Sequence, residues 1–315
     1  PHITVGGACA TATHGSGDGN GNLATAVSAL EIVRADGSLL TLSRGQDEIF
    51  PSAVVGLGAL GIVTRLTLDI APTFEIAQSL YEDLPLTAVA EDFEAIFSSA
   101  YSVSLFTDWR GPRFNQVWLK RRVDSGEAAL EPQFFGATPA LAALHPIAGW
   151  PAENCTAQGG APGAWYERLP HFRLEFLASS GEELQSEYFV PREHAVEALF
   201  ALDGIRERIA PLLQVSEIRT VAADDLYMSP CFEQASVCLH FTWFRDWPAV
   251  RQLLPKIEEV LAPFRARPHW GKMTTLSPSA YRALYPKLPA FAELRETFDP
   301  EGKFRNAYVA GILAV

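Results

Sequence analysis

Glu217 and Arg219 stand two residues apart in the β-like run 215–222. Successive side chains alternate along an extended strand, so both point to one face. Their neighbours Val215 and Ile218 are apolar. A solvated ion pair accounts for this pattern, and so does a buried pair that positions a polar ligand. His240 and Thr242 repeat the same spacing in Cys238-Leu239-His240-Phe241-Thr242-Trp243. Taken singly, each of these residues reads as structural, and a lone strand histidine as a satisfied core residue. Two adjacent strands would gather the four polar groups on one patch, which makes a pocket a serious alternative.

A third group of chemical residues is Arg267-Pro268-His269-Trp270-Gly271-Lys272. Proline and glycine constrain its backbone, Trp and Gly allow a flat ring to pack closely, and His and Lys supply donors. A turn with a surface lysine explains it equally well, and its physics alone assigns no function. Near the start, Ala10-Thr11-Ala12-Thr13-His14-Gly15-Ser16-Gly17 offers small residues, backbone N–H groups and hydroxyls in succession. These are what a pyrophosphate requires, though a plain Gly-rich turn has the same composition. The run is not a GxGxxG opening a helix, and it lacks the lysine of a P-loop.

The elements that must position these groups follow from periodicity. Residues 3–13 read as extended, followed by the Gly-rich loop 15–21. Alternation predicts strands at 27–34 and 39–43 around the turn Ala35-Asp36-Gly37-Ser38, and another over 62–70. A short amphipathic helix is expected from Asp47 to the Gly-rich run 56–61. From about residue 76 helices alternate with strands. The helices are expected over 86–100, 194–213 and 247–264. The strands are expected over 102–109, 115–122, 186–190, 215–222 and 236–244. The Pro-, Gly- and Ala-rich stretch 135–170 reads as a long surface excursion. Lys120-Arg121-Arg122 reads as a solvated strand end. Asp299-Pro300-Glu301-Gly302-Lys303-Phe304 reads as a closing turn. The order helix–strand–strand–helix predicts an α+β fold, an antiparallel sheet covered by helices on one face.

The chain has 315 residues, 48% hydrophobic and 20% charged, an ordinary globular composition with room for two domains. Its formal net charge of −12 argues against nucleic acid and anionic membranes as partners, since both demand clustered Lys and Arg. No uncharged apolar stretch is long enough for a transmembrane helix. Cys9, Cys155, Cys231 and Cys238 form no CxxC, and no histidine pair stands at zinc spacing, so no metal is expected. Cys9 and Cys238 read as small core residues. The cysteines point to a reducing compartment, hence a cytoplasmic protein.

Taken in order, Thr4-Val5-Gly6-Gly7 with Ala10–Gly17, Glu217-Ile218-Arg219, His240-Phe241-Thr242, Pro268-His269-Trp270-Gly271-Lys272 and Lys303-Phe304-Arg305-Asn306 resemble the alditol (xylitol) oxidases. These are flavoproteins of the vanillyl-alcohol-oxidase type, grouped with the aldonolactone oxidases such as D-arabinono-1,4-lactone oxidase. The resemblance covers essentially the whole chain. The His-Trp-Gly-Lys block is common to the wider group, whereas Glu-x-Arg with His-x-Thr and the downstream Lys is more particular to the alditol branch.

The resemblance implies a two-domain FAD-linked oxidase fold. Residues 1–75 would be the second part of the FAD-binding domain, 76–288 the substrate-binding domain, and 289–315 a return to the FAD-binding domain. Thr4, Gly7, Thr11, Ala12, Thr13, His14, Ile62, His269 and Asn306 would bind FAD, with His269 near the isoalloxazine. Glu217, Arg219, Thr242 and Lys272 would hold a polyol, with His240 beside them. Arg219, Lys272 and His240 would be the catalytic set. The reaction implied is hydride transfer from the terminal carbinol carbon to the flavin, followed by reduction of dioxygen to hydrogen peroxide. A sugar alcohol is uncharged and dense in hydroxyls, so it needs several fixed donors and acceptors. Arg219 or Lys272 would stabilise negative charge on the reduced flavin. His240 and Lys272 are both candidates for the base, and the sequence does not choose between them.

In the family a histidine upstream bonds the flavin covalently, and a substrate-contacting serine precedes the position of Pro1. His14 does not match that anchor. The chain enters a strand-like run at Pro1, so it is expected to be a fragment that by itself does not hold FAD stably. An aldonolactone oxidase or dehydrogenase of the same fold is the nearest rival. A non-catalytic phosphate-binding or interaction module is the rival from another class. Under that rival Glu217, Arg219, His240 and Lys272 would point to different faces.

Overall fold

In a computed structural model of the chain, which describes residues 2–124, 132–176 and 183–313, the strands form two antiparallel sheets. The first 75 residues begin with helix α1 (Val5–Ala10) and end in a small sheet of β1 (Val27–Val33), β2 (Leu39–Ser43) and β3 (Ile62–Leu68), in the order β2-β1-β3, with the short helix α2 (Phe50–Ala53) between. Asp36 accepts from Ser38 N–H at 2.9 Å and so closes the β1–β2 turn.

The second sheet has nine strands: β4 (Glu75–Pro85), β5 (Ser102–Thr107), β6 (Arg113–Arg122), β7 (Thr138–Pro139), β8 (Pro162–Ala164), β9 (Leu184–Pro191), β10 (Leu213–Val221), β11 (Ser236–Trp243) and β12 (Arg267–Pro268). Their order is β12-β9-β11-β10-β5-β6-β4-β7, with β8 also paired to β4. Alternation sorts the side chains of each strand between two faces. One face presents Leu105, Val117, Tyr188, Ile218, Leu239 and Phe241, all buried. Helices α3 (Leu86–Phe97), α4 (Ala195–Asp203) and α6 (Trp247–Leu261) cover it through Val89, Leu199, Leu254 and Ile257, giving the largest apolar core. This is the predicted α+β arrangement.

The opposite face carries the polar residues and is overlaid by residues 140–176. The stretch 135–170, which reads in the sequence as a surface excursion, instead packs on the sheet: Cys155 and Thr156 are buried within it and Gln116 Nε2 donates to the His145 carbonyl at 2.9 Å. Lys120 is buried too, at 1% exposure, rather than at a solvated strand end. It shares a face with Trp118, as alternation requires.

Two further expectations differ. Residues 3–13 are not extended. Thr4 Oγ1 caps α1 by accepting from Gly7 N–H at 3.1 Å, and burial of Ala8 and Cys9 holds this glycine-containing turn in place. The predicted long helix 194–213 breaks into α4 and α5 (Arg206–Ile209), because Gly204 caps the first and Pro211 tightens the end into a 3₁₀ turn. A second core joins Leu30, Leu42, Phe50 and Val55 to Trp270 and to α7 (Pro278–Leu284), α8 (Leu288–Phe298) and α9 (Ala307–Leu313). Asp299 accepts from the N–H groups of Lys303 and Phe304, forming the closing turn. All four cysteines are free and buried. No helix among the described residues is long and apolar enough to cross a membrane.

Candidate functional site

The polar face of the large sheet is organised by register. Glu187 on β9 pairs with His240 on β11, and His240 pairs with Glu217 on β10. One pleat further on, Arg219 stands opposite Cys238. Three neighbouring strands therefore deliver a carboxylate, an imidazole and a second carboxylate in one row, with a guanidinium beside them.

The turn after β12 brings in Lys272. His269 N–H donates to the Glu187 carbonyl at 3.0 Å, and Met273 N–H donates to the Gln185 carbonyl at 2.9 Å. The turn is thus stitched to the edge of β9. Arg267 secures it by donating to the carbonyls of Pro230, Phe232 and Leu284, and Trp270 Nε1 donates to the Met228 carbonyl. Lys272 Nζ then reaches Glu187 Oε2 at 2.5 Å and His240 Nδ1 at 2.8 Å.

Glu187 is the hub. Its side chain is fully buried, and it receives Arg219 Nη2 at 2.6 Å as well as Lys272 and, at 3.3 Å, His14 Nε2. Burial would raise its pKa, but Lys272, His14 and Arg219 outweigh burial and hold it well below the ordinary carboxylate value. Glu217 behaves likewise: burial opposes its charge, while Arg219 at 3.6 Å and His171 at 2.9 Å keep it ionised. The two carboxylates and the Arg219 and Lys272 cations balance.

The imidazoles are pushed the other way. Burial, then the Lys272 charge, lowers His240 to about 4. Its ring is neutral at neutral pH, and because an ammonium only donates, Nδ1 is the acceptor for Lys272. Nε2 therefore carries the proton and donates to Thr242 Oγ1 at 3.1 Å. Burial, then Lys272, also depresses His269, whose Nδ1 accepts from Gly271 N–H. His14 is in tension. Its ring nitrogens face the Gly15 carbonyl and Glu187, which only imidazolium satisfies together, yet burial disfavours that charge. Lys272 is itself lowered by burial, against the raising effect of Glu187.

These groups open onto a cavity of about 560 Å³. Glu217, Arg219, His240, His269 and Lys272 line it together with Thr4, Gly7, Thr11, Thr13 and His14. Four of the polar residues singled out in the sequence, Glu217, Arg219, His240 and Lys272, thus share one cavity, and Thr242 stands one hydrogen bond behind His240. Ala12 is buried in the second core at 1% exposure. Ile62 is exposed on the edge strand β3, and Asn306 Oδ1 accepts from Val309 N–H at the start of α9; neither lines the cavity. Gly17 has a structural reason to be glycine. Its N–H donates to the Thr220 carbonyl, its φ is +133°, and a Cβ there would come within 2.3 Å of the Tyr101 carbonyl oxygen.

Sequence reasoning missed Glu187, Gln185, Lys120 and His171. The signal for the first two was present: in Gln185-Ser186-Glu187-Tyr188-Phe189, alternation puts the amide and the acid on one face of a strand that ends at Pro191. His14, Glu187 and Cys238 each offer a ligand atom, all within 4.8 Å of one another. The Lys272 and Arg219 cations already neutralise that carboxylate, which disfavours a metal ion there.

The D-arabinono-1,4-lactone oxidase family model matches residues 180–312. Over 313 residues the chain is 53% identical to the alditol oxidase of a Streptomyces species, a match that covers 99% of this chain and 74% of that protein. It is 27% identical to the L-gulonolactone oxidase of Mus musculus, over 98% of this chain and 73% of that one. Among solved structures it is similar to cholesterol oxidase from B. sterolicum, with a TM-score of 0.72 at 16% identity over 98% of this chain and 75% of the other, which bears on fold alone.

Proposed function

This chain belongs to the alditol oxidase family, and from that premise we propose that it oxidises the terminal hydroxyl of alditols such as xylitol and sorbitol to the aldose, with FAD as cofactor and dioxygen as electron acceptor. The observation that carries the reading is the Lys272–His240 contact at 2.8 Å on a cavity wall shared with Glu217 and Arg219. The wall offers ammonium, guanidinium, imidazole and carboxylate groups, the mixture of donors and acceptors that a chain of neutral hydroxyls requires.

The cavity suits a flavin. Ile3, Gly7, Ala8 and Gly271 are small or apolar and leave room for a flat ring, while Thr4, Thr11 and Thr13 bring hydroxyls to the same cavity. Thr4, Gly7, Thr11, Thr13, His14 and His269 would hold FAD, with Ala12 supporting from the core and Ile62 and Asn306 further out. FAD would supply the hydride acceptor and the route by which electrons reach dioxygen, giving hydrogen peroxide.

This chain's residues manage the substrate and its proton. Glu217 accepts from substrate hydroxyls, and Arg219 donates to them. Arg219 places positive charge beside the reacting centre, where low dielectric strengthens it, and Lys272 adds its own once it has taken the proton. The hydroxyl proton leaves to Lys272 Nζ in the fraction of the protein whose lysine is unprotonated, a fraction that burial raises. His240 Nδ1 accepts from that nitrogen and holds it in place. Thr242 fixes the His240 ring through Nε2.

Anaerobic mixing of the full-length, FAD-loaded protein with xylitol tests the assignment. Bleaching of the flavin absorbance, then recolouring with peroxide when air is admitted, is expected. Bleaching by an aldonolactone and by no alditol would move the protein to the lactone-oxidising branch.

A further inference from the structure

Beneath the cavity lies a chain of polar groups that this chemistry does not use. Lys120 on β6 is 1% exposed. Its Nζ donates to the Leu169 carbonyl and lies 3.2 Å from His171 Nδ1. His171 Nε2 lies 2.9 Å from Glu217 Oε1. We infer that Lys120 and His171 are positioning residues of the alditol site: a one-way series of donors, Lys120 to His171 to Glu217, fixes the Glu217 carboxylate so that it meets the substrate as an acceptor for hydroxyl groups. This inference rests on the reading that the cavity binds an alditol.

The direction of the chain follows from what each group can do. Glu217 is ionised beside Arg219 and can only accept, so the proton sits on His171 Nε2. Burial, then Lys120, lowers the His171 pKa, so the ring is neutral and Nδ1 keeps a lone pair. Lys120 supplies the proton that faces it. Burial brings Lys120 itself down to about 7, and its nitrogen has N–H groups to donate in either form.

The ring is also held mechanically. It stands edge-on to Trp118, with centroids 5.1 Å apart, and to Phe106 at 5.5 Å. The His171 carbonyl accepts from Thr156 N–H at 3.0 Å. A buried lysine is costly without a partner. Satisfying one loop carbonyl would not require its remaining N–H to face a histidine that in turn faces the site. With His171 bonded to Oε1 and the Arg219 guanidinium 3.6 Å from Oε2, Glu217 has one hydrogen bond and one ion pair, and its other lone pairs are left for substrate O–H groups.

The test is a split between binding and chemistry in the holoenzyme. His171→Phe keeps the ring shape and removes the donor, His171→Gln keeps a donor, and Lys120→Met removes the first link. His171→Phe and Lys120→Met are expected to raise KM for xylitol about tenfold or more, the scale of a lost hydrogen bond to a charged group. The flavin reduction rate at saturating xylitol should stay within about threefold, and His171→Gln should recover most of the affinity. Nitrogen-15 NMR of the wild-type protein should show His171 protonated at Nε2, and Lys120→Met should mix in the other tautomer. KM within about twofold of wild type in both His171→Phe and Lys120→Met would overturn the inference, as would a wild-type ring protonated at Nδ1. The NMR readout stands even if a variant fails to fold. It also separates the two readings: a wild-type enzyme inactive on every alditol but with the expected tautomer would sink the alditol assignment and leave the donor chain intact.

Discussion

Glu187 and Lys272 are 85 residues apart in the chain and meet at 2.5 Å, the carboxylate wholly buried and also bonded to Arg219. One acid thus pairs with both cations that face the cavity, and Glu217 supplies the second negative charge beside Arg219. Replacing Glu187 with the isosteric amide, Glu187→Gln, removes the counter-charge of Lys272 and leaves Arg219 with Glu217 alone. Removing one partner of a buried ion pair costs about 3–5 kcal/mol, and a stability loss of that order is expected in urea unfolding. The surviving Lys272 should also give up its proton at lower pH, moving the acidic limb of flavin reduction downward. An unchanged urea midpoint would show that the carboxylate charge is not what holds the site.

The pH dependence of stability has two windows. His240 titrates at about 4 in the folded protein, below the ordinary imidazole value of 6.5. The unfolded chain therefore binds the proton first. Stability is fully present above about 6.5 and is lost as pH falls toward 4, by roughly 3 kcal/mol for this one group. His14, His171 and His269 shift in the same direction and add to the loss. Glu187 and Glu217 have depressed pKa values, so their contribution is present above about 4.5 and disappears only below it. Urea midpoints at pH 7 and pH 5 should differ clearly, and His240→Asn should reduce that difference. A midpoint flat over this range would contradict neutral buried imidazoles.

Lys272→Met removes the group assigned to the proton and should lower the rate of flavin reduction about 10²–10⁴-fold at saturating alditol, the range of general-base catalysis. Added primary amines should restore part of the rate in Lys272→Ala. His240→Gln should cost less, since it disturbs the orientation of Lys272 and leaves the amine in place. Equal losses without amine rescue would transfer the base role to His240.

Gly17→Ala introduces a Cβ 2.3 Å from the Tyr101 carbonyl oxygen at a φ of +133°. Strain of this kind costs roughly 1–3 kcal/mol. The expected result is a lower melting temperature together with increased proteolysis in the 15–21 loop, where Arg192 bridges Asp18 and Glu94. Wild-type melting would show that the loop backbone relaxes without cost.

Much of this arrangement was legible because two-residue alternation is a strong signal. It placed Glu217 with Arg219 and His240 with Thr242, and the register of β10 and β11 made them neighbours. Elements fixed by tertiary contacts were less legible. α1 contains Gly6 and Gly7 and forms because Ala8 and Cys9 are buried and Thr4 caps it. Helix 194–213 looked continuous by period, but Gly204 ends α4. Glu187 stood out poorly because its partners lie far away in sequence, on β10, on the turn after β12 and in the first loop. Lys120 was hidden by its charged neighbours Arg121 and Arg122, although its alternation with Trp118 pointed inward.

The row Glu187–His240–Glu217 has a consequence for how the sheet assembles. Shifting β11 by a single residue would turn His240 toward the helices and aim Leu239 or Phe241 at the cavity. Such a slipped sheet would bury an imidazole among hydrocarbons, leave Lys272 with Glu187 but without its imidazole acceptor, and lose the site in the same event. The polar row therefore proofreads strand alignment: a molecule that has the chemistry has, by that fact, the right register.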